Sequence, residues 1–214
     1  TDDDGLATKC RLIRNHAEAV VEGMGHKDLT NMIGFNYRMT EIDAAIGRIQ
    51  LKKLSKLNEK RFANVEYFEK RFCNFDFISM PKVRDGAKHA YYTHACKFSE
   101  KVAGIKRDIF FDAVRAELPC FELREQEGVK LSSGYVKPLY LQPMFQKKIA
   151  YGSNGYPFSE SKAKYEKGLC PIAEQMHYSE LISHEFILPS MSFSDIDDVA
   201  LAFEKVWNNR NSLI

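Results

Sequence analysis

Apolar positions recur at helical spacing over the longest uninterrupted stretch of the chain. Ile42, Ile46, Ile49, Leu54, Leu57, Val65, Phe68 and Phe72 trace one stripe close to the 3.6-residue period. Gly47 is the only Gly or Pro between Thr40 and Arg71. Thr40 is a good N-cap, and Glu41 and Asp43 fall in the first turn, where carboxylates favour the helix dipole. The pattern predicts a single helix of roughly 30 residues, about 45 Å long. That exceeds the usual globular helix of about 11 residues. A helix of such length suits a link between two lobes or a subunit interface.

Shorter elements flank it. Asp4 can cap a helix reaching about Asn15, through Leu6, Cys10 and Ile13. Val21 to Phe35, with Gly23, Gly25 and Gly34, reads as a loop. Beyond Pro81 the period changes. Ala87 to Phe98 is rich in aromatic residues and threads as a strand. Arg107 to Leu118 reads as a helix that Pro119 ends. Val129 to Leu141 reads as extended chain with turns, and Gly152 to Phe158 as a loop. Ser161–Lys167 and Pro171–Tyr178 are expected as short helices, and Phe186–Pro189 as a buried strand. Ser194 is the expected N-cap of a last helix through Ile196, Val199, Phe203 and Trp207. Helices mix with short strands without a βαβ rhythm, so the expected fold class is α+β: a long linker helix, then a small, mainly antiparallel sheet packed with helices.

Composition narrows the function classes. The chain has 214 residues, 44% hydrophobic, enough for one medium-sized domain or a domain plus linker helix. Its 31 basic and 29 acidic residues leave a net charge of +2, so nothing electrostatic points to nucleic acid or a membrane surface. Five cysteines, at 10, 73, 96, 120 and 170, are odd in number, with no CxxC, which argues against a disulfide framework or zinc site. Reduced thiols in a cytoplasmic protein are expected. No apolar run reaches the about 18 residues needed to span a bilayer, and no signal-peptide pattern is present. The chain starts at Thr1, with Asp2-Asp3-Asp4 directly behind it, so a fragment or processed chain is expected.

Motifs of self-contained chemistry are missing: no GxGxxG, Walker loop, GxSxG or HExxH. The six histidines include no pair three or four apart, so no metal site is expected. Nothing singles out a Cys–His nucleophile pair. One stretch stands apart, Gly34–Leu54, GFNYRMTEIDAAIGRIQLKKL. Helix propensity accounts for its second half, but not for Gly-Phe-Asn-Tyr-Arg immediately before the cap. There an amide, a phenol and a guanidinium stand beside a helix start with free backbone N–H groups, a place suited to an anion such as phosphate. The alternative is a loop entering an amphipathic helix.

That stretch resembles the G-x-N-Y-R-M-T-E-x-x-A-A-x-G-x-x-Q-L signature of DegT-type sugar aminotransferases. Gly34, Asn36, Tyr37, Arg38, Met39, Thr40, Glu41, Ala44, Ala45, Gly47, Gln50 and Leu51 all match. Other parts follow in order. Thr1–Asp3 resembles the end of the family's G-G-x-x-x-T-D-D strand. Arg14-Asn15-His16 resembles R-N-H-G, with Ala17 in place of the usual Gly. Ala87–Tyr92 resembles A-K-H-x-Y-H. Gly134–Phe145 resembles x-Y-x-x-P-L-H-L-Q-P-x-F, with Tyr140 where the family usually has His. The resemblance is weakest from Lys147 to Glu185.

The resemblance implies an aspartate-aminotransferase-like fold and pyridoxal 5'-phosphate as cofactor. Residues 1–39 would be the tail of the large cofactor-binding domain with an active-site loop, 40–73 a linker helix, and 74–214 the small C-terminal domain. The lysine that binds the cofactor lies upstream of the G-G-x-x-x-T strand in the family, so no catalytic residue is assigned in this chain. Asn36, Tyr37 and Arg38 would serve the cofactor across a homodimer interface, with Asn36 donating to its phosphate. His16, His89, Tyr135 and Tyr140 would line the sugar-nucleotide side, although His89 reads equally as a strand residue and Tyr135 and Tyr140 as core. The amino donor would be glutamate or glutamine, in bacterial surface-polysaccharide or glycan synthesis. The other reading is a non-catalytic dimerisation or binding module that kept the helix and lost the chemistry.

Overall fold

The computed structural model describes residues 1–17, 33–119, 129, 131–184 and 187–214. The chain divides into two compact units, Thr1–Ser55 and Lys56–Ile214.

The first unit opens with α1, Asp4–Arg14. Its cap is Asp3, one residue before the expected Asp4: the Asp3 carboxylate accepts the Leu6 N–H at 2.7 Å. The long helix α2 runs Glu41–Phe72, as the apolar period predicts, and the unit boundary falls inside it. Thr40 caps it. Its Oγ1 accepts the Asp43 N–H at 3.1 Å and donates to the Asp43 carboxylate at 2.7 Å. The stripe has two fates. Ile42, Ile46, Ile49, Leu54 and Leu57 are exposed, whereas Val65, Phe68 and Phe72 are buried in the second unit. Most of the loop expected over Val21–Phe35 lies outside the described residues; Ile33–Phe35 is neither helix nor strand.

The second unit is α+β, as expected. Strands β1 (Ile78–Ser79), β2 (His94–Phe98), β3 (Leu131–Ser133) and β4 (Leu181–His184) form one antiparallel sheet in the order β1-β2-β4-β3. Helices α3 (Glu100–Ala103), α4 (Arg107–Glu117), α5 (Pro143–Lys147), α6 (Pro171–Gln175) and α7 (Phe193–Asn209) complete it. The core is largely aromatic. Phe72 meets Phe203 edge-on at 4.9 Å, Phe77 stacks on Trp207 at 4.2 Å, and Phe110 and Phe111 are fully buried. Arg71 ties α2 to α7 through Asp197 (3.1 Å) and Glu204 (2.6 Å).

Several local expectations are corrected. The strand expected over Ala87–Phe98 shrinks to β2. Before it, Tyr91 takes a positive φ of 51°, which breaks the extended run. Ser161–Lys167 forms no helix. Gln146 donates to the Tyr165 carbonyl at 2.6 Å, and the Tyr165 ring packs on Phe145 and Phe158, so tertiary contacts hold this backbone open. Of the strand expected at Phe186–Pro189, Phe186 lies outside the described residues and Ile187–Pro189 is not strand; the pairing is made earlier, by β4. The last helix is capped by Ser192, not Ser194. Ser192 and Asp195 form a reciprocal capping box. Asp197, three residues beyond Ser194, is instead held by the Tyr67 hydroxyl and Arg71. Pro171–Tyr178 is helical as expected, with α6 passing into a wider π-type turn at Met176–Glu180.

That turn is closed by one buried cation. The Arg107 guanidinium, 3% exposed, donates to the carbonyls of Met176 (3.3 Å), His177 (2.9 Å) and Leu181 (3.1 Å), and pairs with Asp108. Removing it takes a charged donor from these part-buried carbonyls, and hydrogen bonds to a charged group are worth about 1.5–3 kcal/mol each. Arg107→Ala should therefore lower the unfolding free energy by about 3 kcal/mol in urea titrations; a change below about 1 kcal/mol would contradict this role.

Candidate functional site

The segment before α2 is built onto the end of α1. Phe35 N donates to Ile13 O (2.7 Å), His16 N to Phe35 O (3.1 Å), and Tyr37 N to Arg14 O (3.0 Å). Asn15 and Asn36 form an antiparallel bridge. The approach is so close that a Cβ on Gly34 would stand 2.2 Å from the His16 carbonyl carbon. Only glycine fits there.

On this strap Asn36, Tyr37 and Arg38 are all exposed. Tyr37 stacks on Phe35 with ring centroids 5.0 Å apart. The Asn36 carbonyl oxygen accepts the Arg38 N–H at 3.5 Å, which leaves the amide NH₂ available as a donor. Arg38 Nη1 donates to Asn15 Oδ1 at 2.6 Å, fixing one edge of the guanidinium. An oriented amide and an anchored guanidinium, close together in sequence, suit an oxyanion such as a phosphate. His16 is exposed beside them, where α1 unwinds.

The unwinding has a cost. His16 and Ala17 take φ of 63° and 60°, and Ala17 N closes on Leu12 O at 2.8 Å, a left-handed helix end that glycine usually supplies. Ala17→Gly should raise stability by about 0.5–1 kcal/mol, read as an upward shift in thermal midpoint; a fall would show that the Ala17 methyl packs more than it strains.

In the second unit the remaining expected residues have separate surroundings. His89 is exposed, and its Nδ1 accepts the Tyr91 N–H at 2.8 Å. It lines an open pocket with Glu66, Glu69, Lys88 and Tyr91. Tyr135 is exposed, with its backbone N–H directed to His177 Nδ1 at 3.4 Å. Tyr140 is buried, and its hydroxyl donates to Glu174, which also accepts the Gly168 N–H. Burial, then the hydrogen bond to Glu174, pushes the Tyr140 phenol up to about 12. The Tyr140 hydroxyl and the Gly168 N–H hold the Glu174 carboxyl below its ordinary value. A depressed carboxyl contributes stability above its unfolded pKa and loses it as pH falls through the folded one. Tyr140→Phe should thus destabilise the protein at neutral pH, and the difference from wild type should vanish below the ordinary carboxyl range. A pH-independent difference would contradict the pairing.

One cluster escapes any reading by chain spacing. His94, Cys96 and His184 are all buried, with their donor atoms within 4.8 Å of one another. His94 and Cys96 alternate on β2, and His184 faces His94 across the β2–β4 ladder. The two histidines are 90 residues apart, so a search at helical spacing misses them; the HxC alternation on a strand was the available signal.

Residues 1–200 match the model of the DegT/DnrJ/EryC1/StrS aminotransferase family, and the chain belongs to that family. A spore coat polysaccharide biosynthesis protein, SpsC of Bacillus subtilis, is 24% identical over 213 residues, covering 96% of this chain and 48% of its own length. A Geobacillus stearothermophilus protein named as a pleiotropic regulatory protein is 31% identical over 166 residues, covering 77% of this chain and 38% of itself. The chain thus spans about half or less of the length of these relatives. Among solved structures, an aminotransferase from Psychrobacter cryohalolentis shares the fold, with a TM-score of 0.69 at 21% identity, over 98% of this chain and 50% of that one. Among the described residues, no helix is long and apolar enough to cross a membrane.

Proposed function

We propose that this chain is the C-terminal part of a pyridoxal-phosphate-dependent aminotransferase that acts on a nucleotide-linked keto-sugar in the synthesis of bacterial surface polysaccharide or glycan. Residues 1–39 end the large cofactor domain, 40–73 form the linker helix, and 74–214 form the small domain. The protein works as a cytoplasmic homodimer, with glutamate or glutamine as amino donor. The lysine that holds the cofactor belongs to the upstream part of the protein, so this chain by itself does not transaminate.

The observation that carries this reading is the strap. Asn36 and Arg38 present an amide donor and a cation close together, exposed, on backbone that is hydrogen-bonded to α1. Such a pair fits the cofactor's phosphate. Pyridoxal phosphate, when bound, supplies the electron sink for amino-group transfer. The chain's own residues bind and orient: Asn36 donates to the phosphate of the partner subunit's cofactor, Arg38 balances its charge, and Tyr37 closes that side against water. His16, His89, Tyr135 and Tyr140 serve the sugar-nucleotide side. Tyr140 would act there mainly by packing, since its hydroxyl is already committed to Glu174. The exposed apolar run Ile42, Ile46, Ile49 and Leu54 supports a larger assembly, because a monomer rarely leaves such a face uncovered.

A hydrogen bond to a charged group is worth about 1.5–3 kcal/mol. In the full-length protein Asn36→Ala should therefore weaken cofactor retention about 10–100-fold with little change in thermal midpoint. Dialysis followed by the visible absorbance of the remaining cofactor reads it. Unchanged retention would overturn the role of Asn36.

A further inference from the structure

The His94–Cys96–His184 cluster lies in the core of the second unit, and the proposed transamination uses none of it. His94 is 1%, Cys96 2% and His184 3% exposed. Phe68 packs edge-on against His94 and tilted against His184. Burying two imidazoles and a thiol among aromatic rings costs free energy unless their polar atoms are hydrogen-bonded or hold an ion.

Their arrangement is that of a ligand set. His94 Nδ1 is 2.8 Å from His184 Nε2 and 3.4 Å from Cys96 Sγ. The Met80 thioether lies 3.5 Å from the same sulfur. A separate observation concerns the far side of the His94 ring. Its Nε2 is 3.1 Å from the Glu69 carboxylate. A carboxylate accepts only from N–H, so Glu69 puts the His94 proton on Nε2 and turns the Nδ1 lone pair toward Cys96 and His184. A carboxylate behind a histidine, fixing its tautomer, is the usual outer shell of a metal-bound imidazole.

We propose that His94, Cys96 and His184, oriented by Glu69, bind a thiophilic ion with a filled d shell, Zn²⁺ or Cu⁺, with Met80 near enough to complete the donor set. Two imidazoles and a thiolate suit such ions and disfavour Mg²⁺ or Ca²⁺. Metal–nitrogen bonds of about 2.0–2.1 Å and metal–sulfur bonds of about 2.3 Å put tetrahedral ligand atoms roughly 3.3–3.8 Å apart. The imidazole pair therefore opens by roughly half an ångström, the sulfur is already at a suitable distance from His94, and the set as a whole, within 4.8 Å, closes around the ion. Without an ion, His184 Nε2 donates its proton to His94 Nδ1 across the 2.8 Å contact. On binding, that proton is lost to solvent while His184 Nδ1 takes one up, so His184 stays neutral with its N–H on Nδ1, and the Cys96 thiol releases its proton to solvent. Glu69 also lines the open pocket of about 400 Å³ that carries His89 and Tyr91.

The test uses the whole chain with Cys10, Cys73, Cys120 and Cys170 replaced by Ser, which leaves Cys96 as the one thiol. It is titrated with Zn²⁺, with Cu⁺ under reducing conditions, and with Co²⁺ as a coloured probe, against chromophoric chelators. The proposal requires one equivalent bound and a sulfur-to-cobalt charge-transfer band. X-ray absorption should show one sulfur at about 2.3 Å beside imidazole nitrogens. The ion held more tightly identifies the occupant. Glu69→Gln should weaken binding about 10–100-fold without loss of fold by circular dichroism, and Cys96→Ser should abolish the band. No stoichiometric binding of any of the three ions would overturn the site, as would a first shell without sulfur. X-ray absorption needs no substitution at the site, so it decides the matter even if Cys96→Ser fails to fold. Because the readout is metal binding by this unit, it does not depend on the aminotransferase reading.

Discussion

The positions of Asn36, Tyr37 and Arg38 depend on one close approach. Gly34 lets the strap lie against the end of α1 at a separation that no side chain allows, and three backbone hydrogen bonds then hold it there. The helix end pays for this in left-handed backbone at His16 and Ala17. Strap and helix end form one constraint: Asn15 bridges Asn36 and also accepts from Arg38. The Asn36 amide is oriented by the Arg38 backbone N–H and the guanidinium by the Asn15 side chain before any ligand arrives, and that lowers the entropy lost on binding an anion.

In the second unit, stability and chemistry are interleaved. Phe72, Phe110 and Phe203 lie in one apolar core shared with aliphatic residues such as Val114 and Ile196. Polar groups are set within it, Arg107 and the histidine–cysteine cluster among them. Arg107 is consumed by the carbonyls of the π-type turn and is structural. The histidine–cysteine cluster on β2 and β4 has the same depth but a different character, because His94 contacts the side chains of His184, Cys96 and Glu69.

How much was legible in the sequence differs by element. Helix α2 was readable nearly to the residue, since its apolar period, its cap and the lack of breakers all agree. The cap of α7 was misplaced by two residues. Ser192 and Ser194 each have an aspartate three residues on, and only the tertiary partners of Asp197 decide between them. The Tyr165 segment was misread for the same kind of reason, as its ring is claimed by Phe145 and Phe158. The strap was found by its unusual residues rather than by periodicity. Of the histidine–cysteine cluster, only the His94–Cys96 alternation is visible along the chain; His184 joins it through strand pairing. For Tyr140 the sequence leaves substrate side and core equally open; it is buried, and its partner Glu174 depends on where α6 packs.

Asn36 is proposed to serve the cofactor of the partner subunit, and mixed dimers test this most directly. One full-length subunit lacks the upstream cofactor lysine but keeps Asn36; the other keeps the lysine but carries Asn36→Ala. If the strap acts across the interface, the lysine-bearing subunit has a complete site, and the mixed dimer retains cofactor through dialysis as tightly as wild type. If the mixed dimer loses cofactor as readily as the Asn36→Ala homodimer, Asn36 acts within its own subunit or not at all, and the shared site is contradicted.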